Sequence, residues 1–179
     1  DLYAYRAQKP WQAPTSEVYL LLRAGCVLPP EEHTVLVRQY LLETEKQQRA
    51  RRDNARIVLT GAFCEQPPLA LIKSIEMAGC YIVDDDFMLV TRWLLDDVPS
   101  DGKPLEELSK AFLHRSASTA AKYDEKREDK GQFLLKQVKT GGAEGVIFAA
   151  PSFCDPALLE RPMLQDVLSK HGVPSTAFK

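Results

Sequence analysis

Apolar residues in the first third of the chain recur with a helical period. Residues 18–22 and 35–42 each place most of their aliphatic side chains on one face of a helix. A proline pair at positions 29–30 separates the two groups, and two glutamates follow it, which is typical of a helix start. We therefore predict two helices between residues 15 and 54.

The period changes near residue 55, where short β-branched and aliphatic runs begin to alternate with longer amphipathic stretches. Such short apolar runs are typical of strands that are buried on both faces of a parallel sheet. The predicted strands cover residues 57–61, 80–83, 145–149 and 173–178, and the predicted helices cover residues 67–77, 87–95, 104–113, 120–140 and 156–170.

Strands that alternate with helices indicate an α/β fold with an open, doubly wound and mainly parallel sheet of four strands. We predict the strand order 2-1-3-4, helices on both faces and right-handed crossovers. Residues 1–54 form a helical lead-in segment and residues 55–179 the α/β domain. The chain begins with Asp1 and stops directly after the fourth strand, so we expect a fragment of a longer subunit.

Composition and charge restrict the functional classes. Hydrophobic residues make up 45% of the 179 residues and charged residues 27%, which is typical of a globular protein. The 23 basic residues do not outnumber the 25 acidic residues, although binding to a nucleic-acid backbone normally requires a basic excess. The longest aliphatic or aromatic run, residues 18–22, is far shorter than the ~20 residues that span a bilayer. We expect neither a nucleic-acid nor a membrane partner.

Basic residues cluster near the end of the second predicted helix. Because cations are stabilised at the carboxyl end of a helix, a solvated helix end is the favoured interpretation. A phosphate-binding or partner-binding site is the alternative. The cluster consists of Lys46, Arg49, Arg51 and Arg52.

The four cysteines lack the spacing of a metal or redox motif, and a disulfide scaffold is not expected in a chain of this size. A reducing, cytoplasmic environment fits better. Cys26 and Cys80 are interpreted as small buried residues of the core. Cys64 and Cys154 differ, because each follows a predicted strand in a Phe-Cys-acid segment that leads into a proline-containing helix start.

The second pair of cysteines predicts a shared crevice. Ligands of doubly wound sheets bind outside the carboxyl ends of the strands, and the first and third strands are neighbours in the predicted order. We expect Cys64 and Cys154 to face one crevice with Asp85 or Asp86 near its rim. A helix start favours the thiolate needed for nucleophilic attack or iron ligation. The alternatives are that the thiols belong to the core and that the aspartates are solvated helix caps.

In their order along the chain, these motifs resemble the 2-hydroxyacyl-CoA dehydratase and benzoyl-CoA reductase family. The resemblance extends from about residue 15 to residue 178, and it depends on the order and spacing of several moderate motifs. Hydrolase and Walker motifs do not occur in the sequence. The matching segments are residues 56–61, 75–86, 91–93, 145–148, 152–156 and 172–174.

The resemblance implies the carboxy-terminal α/β part of an iron–sulfur subunit that binds an acyl-CoA thioester. It implies that Cys154 is a ligand of a [4Fe–4S] cluster whose other ligands lie outside this chain. A fragment with one ligand is expected to be isolated without cluster and without activity. For substrate binding we expect Cys64, Asp85, Asp86 and Arg92, and no catalytic residue is assigned.

Phe87 and Met88 follow the aspartates where dehydratases often carry Leu-Cys or a similar pair, and this favours the benzoyl-CoA reductase branch. That branch implies a two-electron dearomatisation of benzoyl-CoA to a cyclic dienoyl-CoA in anaerobic aromatic degradation. It also implies ferredoxin as electron donor, a homologous second substrate-binding subunit, and activator subunits that hydrolyse ATP. The alternatives are a 2-hydroxyacyl-CoA dehydratase subunit, which eliminates water through a ketyl radical, and a noncatalytic α/β interaction domain.

Overall fold

A computed structural model describes residues 1–61, 67–87, 97–114 and 130–178. These residues contain a four-stranded, all-parallel sheet with helices on both faces. The strands are β1 (Ala55–Thr60), β2 (Cys80–Asp85), β3 (Gly145–Phe148) and β4 (Ser175–Ala177), and their order is β2-β1-β3-β4. The predicted fold class and strand order are confirmed.

The helices in this part of the chain alternate with the strands after an all-helical start. The helical start packs together through a small apolar cluster of its own that includes Leu2, Val18 and Leu22. The helices are α1 (Leu2–Gln8), α2 (Thr15–Ala24), α3 (Pro30–Lys46), α4 (Leu69–Met77), α5 (Pro104–His114), α6 (Lys130–Gly141) and α7 (Asp155–Lys170).

Three helix predictions differ from the structure or extend beyond its described residues. Helix α1 was not predicted. Helix α3 ends at Lys46 rather than near residue 54, because the polar stretch that follows has almost no apolar side chain with which to bury a helix face. The predicted helix 87–95 lies almost wholly outside the described residues, as does the first half of the predicted helix 120–140.

The sheet separates two apolar layers because side chains alternate between the faces of a strand. On one face, Ile57, Leu59 and Ile147 pack with residues of α2 and α4. On the other face, Val58 and Phe148 pack with residues of α6 and α7. Burial of each such side chain contributes roughly 1.5–3 kcal/mol, so the two layers hold the strand ends in fixed positions.

The two cysteines that were assigned to the core differ in their exposure. Cys26 is exposed in the turn after α2, so its assignment to the core is wrong. Cys80 is half-buried and packs against the apolar layer of α2 and α4. Within the described ranges, none of the helices combines the length and the apolar character that crossing a bilayer requires.

Candidate functional site

The carboxyl ends of β1 and β3 approach each other closely at Gly61. The Ala149 amide donates to the Thr60 carbonyl over 2.8 Å, which continues the pairing of the two strands. Gly61 has a φ of +108°, and a Cβ atom there would lie 3.2 Å from the backbone nitrogen of Ala150. Only glycine fits this exit, which directs the chain after β1 along the end of β3.

Asp86 connects the ends of β1 and β2. Its carboxylate accepts hydrogen bonds from the Thr60 hydroxyl at 2.8 Å and from the Gly61 amide at 2.9 Å. Asp86 is half-buried, whereas Asp85 is fully buried. Through these hydrogen bonds, Asp86 fixes the position at which the chain leaves β1.

Asp85 lies inside the protein rather than at the rim of a crevice. Its carboxylate is fully enclosed and receives the Arg6 guanidinium at 2.6 Å, the Tyr3 hydroxyl at 3.0 Å and the Phe87 amide at 3.0 Å. Burial and the Asp85 charge raise the pKa of Tyr3 well above its usual value. Burial alone lowers the pKa of Arg6, but the attraction of Asp85 prevails and the net shift is upward. These contacts attach α1 to β2.

A β-bulge determines which face of the sheet Asp85 occupies. Ile57 pairs with Ile82, but the next residue of β1, Val58, pairs with Asp84, so Val83 is an extra residue in β2. An extra residue exchanges the faces that the following side chains occupy. Asp85 thereby shares the face of its partner Leu59, which belongs to the buried layer.

Asp84 occupies the half-buried position before this ion pair. Burial and the neighbouring Asp85 charge raise the pKa of Asp84 from 3.8 to about 6, although Arg6 acts in the opposite direction. Arg6 Nη2 lies 3.9 Å from Asp84 Oδ1. The single positive charge of Arg6 thus lies near two carboxylates, those of Asp84 and Asp85.

Cys154 stands where the loop after β3 enters helix α7, as the strand and helix pattern predicted. Cys154 is the N-cap residue, and its side chain is 3% exposed. Its amide donates to the Pro151 carbonyl at 3.2 Å, which closes a tight turn in front of the helix.

Phe153 gives this turn an unusual conformation. Its φ is +64°, a left-handed backbone that a bulky residue adopts at a cost of roughly 1–2 kcal/mol, and its side chain is 95% exposed. Strained residues of this kind concentrate at functional sites. A buried thiol behind an exposed, strained aromatic residue is the main chemical feature of this edge.

The described residues do not form a complete metal site by themselves. Across residues 1–61, 67–87, 97–114 and 130–178, no three His, Cys, Asp or Glu side chains converge on a metal position. A four-iron cluster is held by four ligands, usually cysteine thiolates. The assignment of Cys154 as a cluster ligand stays a prediction, and it requires further ligands from outside these ranges.

The remaining predicted site residues are distributed as follows. Cys64 and Arg92 lie outside the described residues, so the shared crevice of Cys64 and Cys154 stays a prediction. The sequence reasoning missed Arg6 and Tyr3, which α1 brings to the end of β2. The available signal was weak, because a seven-residue helix is too short to show a clear apolar period.

Comparisons with known proteins agree with this geometry. The family model described as "2-hydroxyglutaryl-CoA dehydratase, D-component" matches residues 1–179. A benzoyl-CoA reductase subunit of Thauera aromatica is 60% identical over all of this chain, which covers 46% of that relative. The (R)-phenyllactyl-CoA dehydratase beta subunit of Clostridium sporogenes is 27% identical over 90% of the chain and 41% of the relative.

A third relative extends the pattern. The (R)-2-hydroxyglutaryl-CoA dehydratase subunit beta of Acidaminococcus fermentans is 26% identical over 90% of the chain and 42% of the relative. The chain thus spans less than half the length of these curated relatives. Because the family model matches its whole length, the chain belongs to the 2-hydroxyglutaryl-CoA dehydratase, D-component family.

Proposed function

We propose that this chain is the α/β part of an iron–sulfur subunit of a benzoyl-CoA reductase, which reduces the ring of benzoyl-CoA by two electrons to a cyclic dienoyl-CoA. The observation that carries the proposal is the 60% identity to a benzoyl-CoA reductase subunit over every residue of the chain. The identity to the dehydratase beta subunits is 26–27%, which makes a dehydratase the second candidate.

In this proposal Cys154 supplies one ligand to a [4Fe–4S] cluster, and the other ligands belong to the rest of the subunit. A cluster bound there would supply electrons for reduction of the acyl substrate. The chain's own contribution is positional. The turn before α7 and the burial of the Cys154 side chain hold the thiolate in place and exclude water from it. Phe153 then presents an apolar surface beside the ligand.

The acyl-CoA thioester is proposed to bind along the carboxyl edge of the sheet. Asp86 fixes the exit from β1, and with Cys64 and Arg92 it is proposed to line the crevice. Asp85 is proposed to stabilise the end of β2 beside that crevice, because its buried carboxylate accepts hydrogen bonds from Arg6 and Tyr3. Ferredoxin, a homologous second subunit and ATP-hydrolysing activator subunits complete the proposed cytoplasmic assembly.

The test uses the full-length subunit produced with its partner subunits under anaerobic conditions. We expect Cys154→Ala to lower iron and acid-labile sulfide and to abolish consumption of benzoyl-CoA. Cys26→Ala is the matched control, because Cys26 is exposed in the turn after α2 and its replacement is expected to leave both quantities unchanged. Cys80→Ala is expected to behave in the same way as the control.

Two results contradict the proposal. Iron content in the Cys154 variant equal to that of the parent removes the cluster ligand from this chain. Consumption of a 2-hydroxyacyl-CoA, with benzoyl-CoA left unchanged by the parent complex, assigns the chain to the dehydratases instead.

A further inference from the structure

The amino edge of the sheet, opposite the candidate site, carries a groove of about 570 Å³. This volume lies in the range of small-molecule sites. Its walls are the rings of Trp11 and Tyr81, the extended segment of residues 51–56 that leads into β1, and Glu144 before β3. We call it the amino-edge groove.

Two arginines in this groove have no acidic partner among the described residues. Of the basic cluster seen in the sequence, Lys46 pairs with Glu43 at 2.7 Å and Arg49 with Glu17 at 2.9 Å. Arg51 and Arg52 are exposed and make no ion pair within the described ranges. Helix α3 ends at Lys46, so the interpretation of these two arginines as a solvated helix end is wrong.

Aromatic contacts fix the orientation of this basic segment. The Arg51 guanidinium lies 5.1 Å above the Trp11 ring, which itself lies 6.4 Å from the ring of Tyr81. The backbone amide of Arg52 donates to the Tyr81 hydroxyl at 2.8 Å. A guanidinium stacked on a ring keeps its N–H edge available, and its pre-set orientation reduces the entropy lost when a ligand binds.

The other charged groups of the lining do not neutralise these arginines. The Arg56 guanidinium is occupied, because it donates to the carbonyls of Ala7, Gly141 and Gly142. The Glu144 carboxylate accepts a hydrogen bond from the backbone amide of Arg56 at 2.8 Å. Asp53 is the remaining carboxylate of the lining. The three guanidinium groups of the lining outnumber its two carboxylates, so the groove carries a net positive charge.

We propose that the amino-edge groove binds a small phosphate ester that carries a planar ring, that is, a ligand of the nucleotide type. The guanidinium fork matches phosphate oxygens in two parallel hydrogen bonds. The rings of Trp11 and Tyr81 offer apolar surface on which a base stacks. The same chemistry occurs in free adenine nucleotides and in the adenosine diphosphate end of coenzyme A.

The test follows Trp11 fluorescence in the 179-residue chain with Trp93→Phe as background, so that one tryptophan reports. AMP, ADP, adenosine, ribose 5-phosphate and coenzyme A are titrated in turn. We expect saturable quenching by AMP and ADP, and at least tenfold weaker binding of ribose 5-phosphate and of adenosine, since each lacks half of the recognised chemistry. If coenzyme A binds more tightly than ADP, the coenzyme is the ligand of the groove. If the two bind equally tightly, the ligand is a free nucleotide.

Matched variants separate this site from a general charge effect. Arg51→Gln and Arg52→Gln are each expected to weaken AMP binding at least tenfold, because each removes a guanidinium group that binds the phosphate. Both side chains are exposed, so their loss leaves the fold intact. Arg38→Gln, an exposed arginine of α3, is the control and is expected to bind as the parent does. Far-UV circular dichroism verifies that all variants are folded.

The proposal is overturned if AMP gives no saturation at millimolar concentration, if Arg51→Gln and Arg52→Gln bind it as the parent does, or if ribose 5-phosphate binds as tightly as AMP. It does not depend on the proposed function, because the groove and Cys154 lie at opposite edges of the sheet. Cys154→Ala is accordingly expected to bind AMP unchanged.

Discussion

The buried ion pair of Arg6 and Asp85 predicts a large and asymmetric response to mutation. Their nearest atoms, Arg6 Nη1 and Asp85 Oδ2, are 2.6 Å apart, and both side chains are fully enclosed. Arg6→Met keeps most of the side-chain length but removes the charge. Loss of one partner from a buried ion pair costs about 3–5 kcal/mol, and we expect the free energy of unfolding to fall by this amount.

The double variant Arg6→Met/Asp85→Leu is expected to be more stable than Arg6→Met alone. It leaves no uncompensated charge in the core. The natural pair is also imperfectly satisfied, because Arg6 Nε and Nη2 have no hydrogen-bond partner among the described residues. Both variants remove these two unpaired donor atoms of Arg6, but Arg6→Met by itself leaves the Asp85 carboxylate buried without its main partner.

The assay is urea denaturation of the chain at pH 7, followed by far-UV circular dichroism. For a chain of this size, 1 kcal/mol corresponds to roughly 2–4 °C in the melting temperature, so thermal unfolding gives a second measurement. Arg38→Met on the exposed side of α3 is the control and is expected to stay within about 0.5 kcal/mol of the parent. The reasoning fails if Arg6→Met loses less than about 1 kcal/mol, or if the double variant is less stable than Arg6→Met.

Three further changes test the strand ends. The pKa of Asp84 is raised from 3.8 to about 6, and its side chain is 22% exposed. The folded state therefore holds the Asp84 proton more tightly than the unfolded chain does, so the free energy of unfolding falls as pH rises from about 4 to about 6. In urea denaturation, Asp84→Asn is expected to raise the free energy of unfolding by up to about 3 kcal/mol at pH 7 and by almost nothing below pH 4. An increase that does not depend on pH contradicts the raised pKa. Gly61→Ala is expected to lower the melting temperature more than Gly79→Ala does. Both glycines have a positive φ, but only at Gly61 would a Cβ atom meet the backbone that follows β3. Equal decreases in melting temperature contradict this close approach. Phe153→Gly is expected to raise the free energy of unfolding by up to about 1 kcal/mol, because glycine adopts the φ of +64° without strain. Phe153→Val is expected to lower it, because a β-branched residue increases the strain. The opposite order of the two variants in urea denaturation contradicts the strain.

The sequence by itself was sufficient for the α/β architecture. Strands buried on both faces require continuous apolar runs, and β1 and β3 at the centre of the sheet have such runs. The amphipathic periods of the intervening stretches likewise predicted helices on both faces. The position of Cys154 followed in the same way, because a strand end and a proline-containing helix start mark it locally.

The tertiary structure decided the features that depend on distant residues or on one-residue shifts. Arg6 meets Asp85 across 79 positions of sequence, and no local pattern shows such a contact. The extra residue Val83 decides which face of the sheet Asp85 occupies, and bulges leave little trace in apolar periodicity. Likewise, the end of α3 at Lys46 turned Arg51 and Arg52 from residues of a helix end into the lining of a groove, because a charged stretch stays helical only where packing supports it.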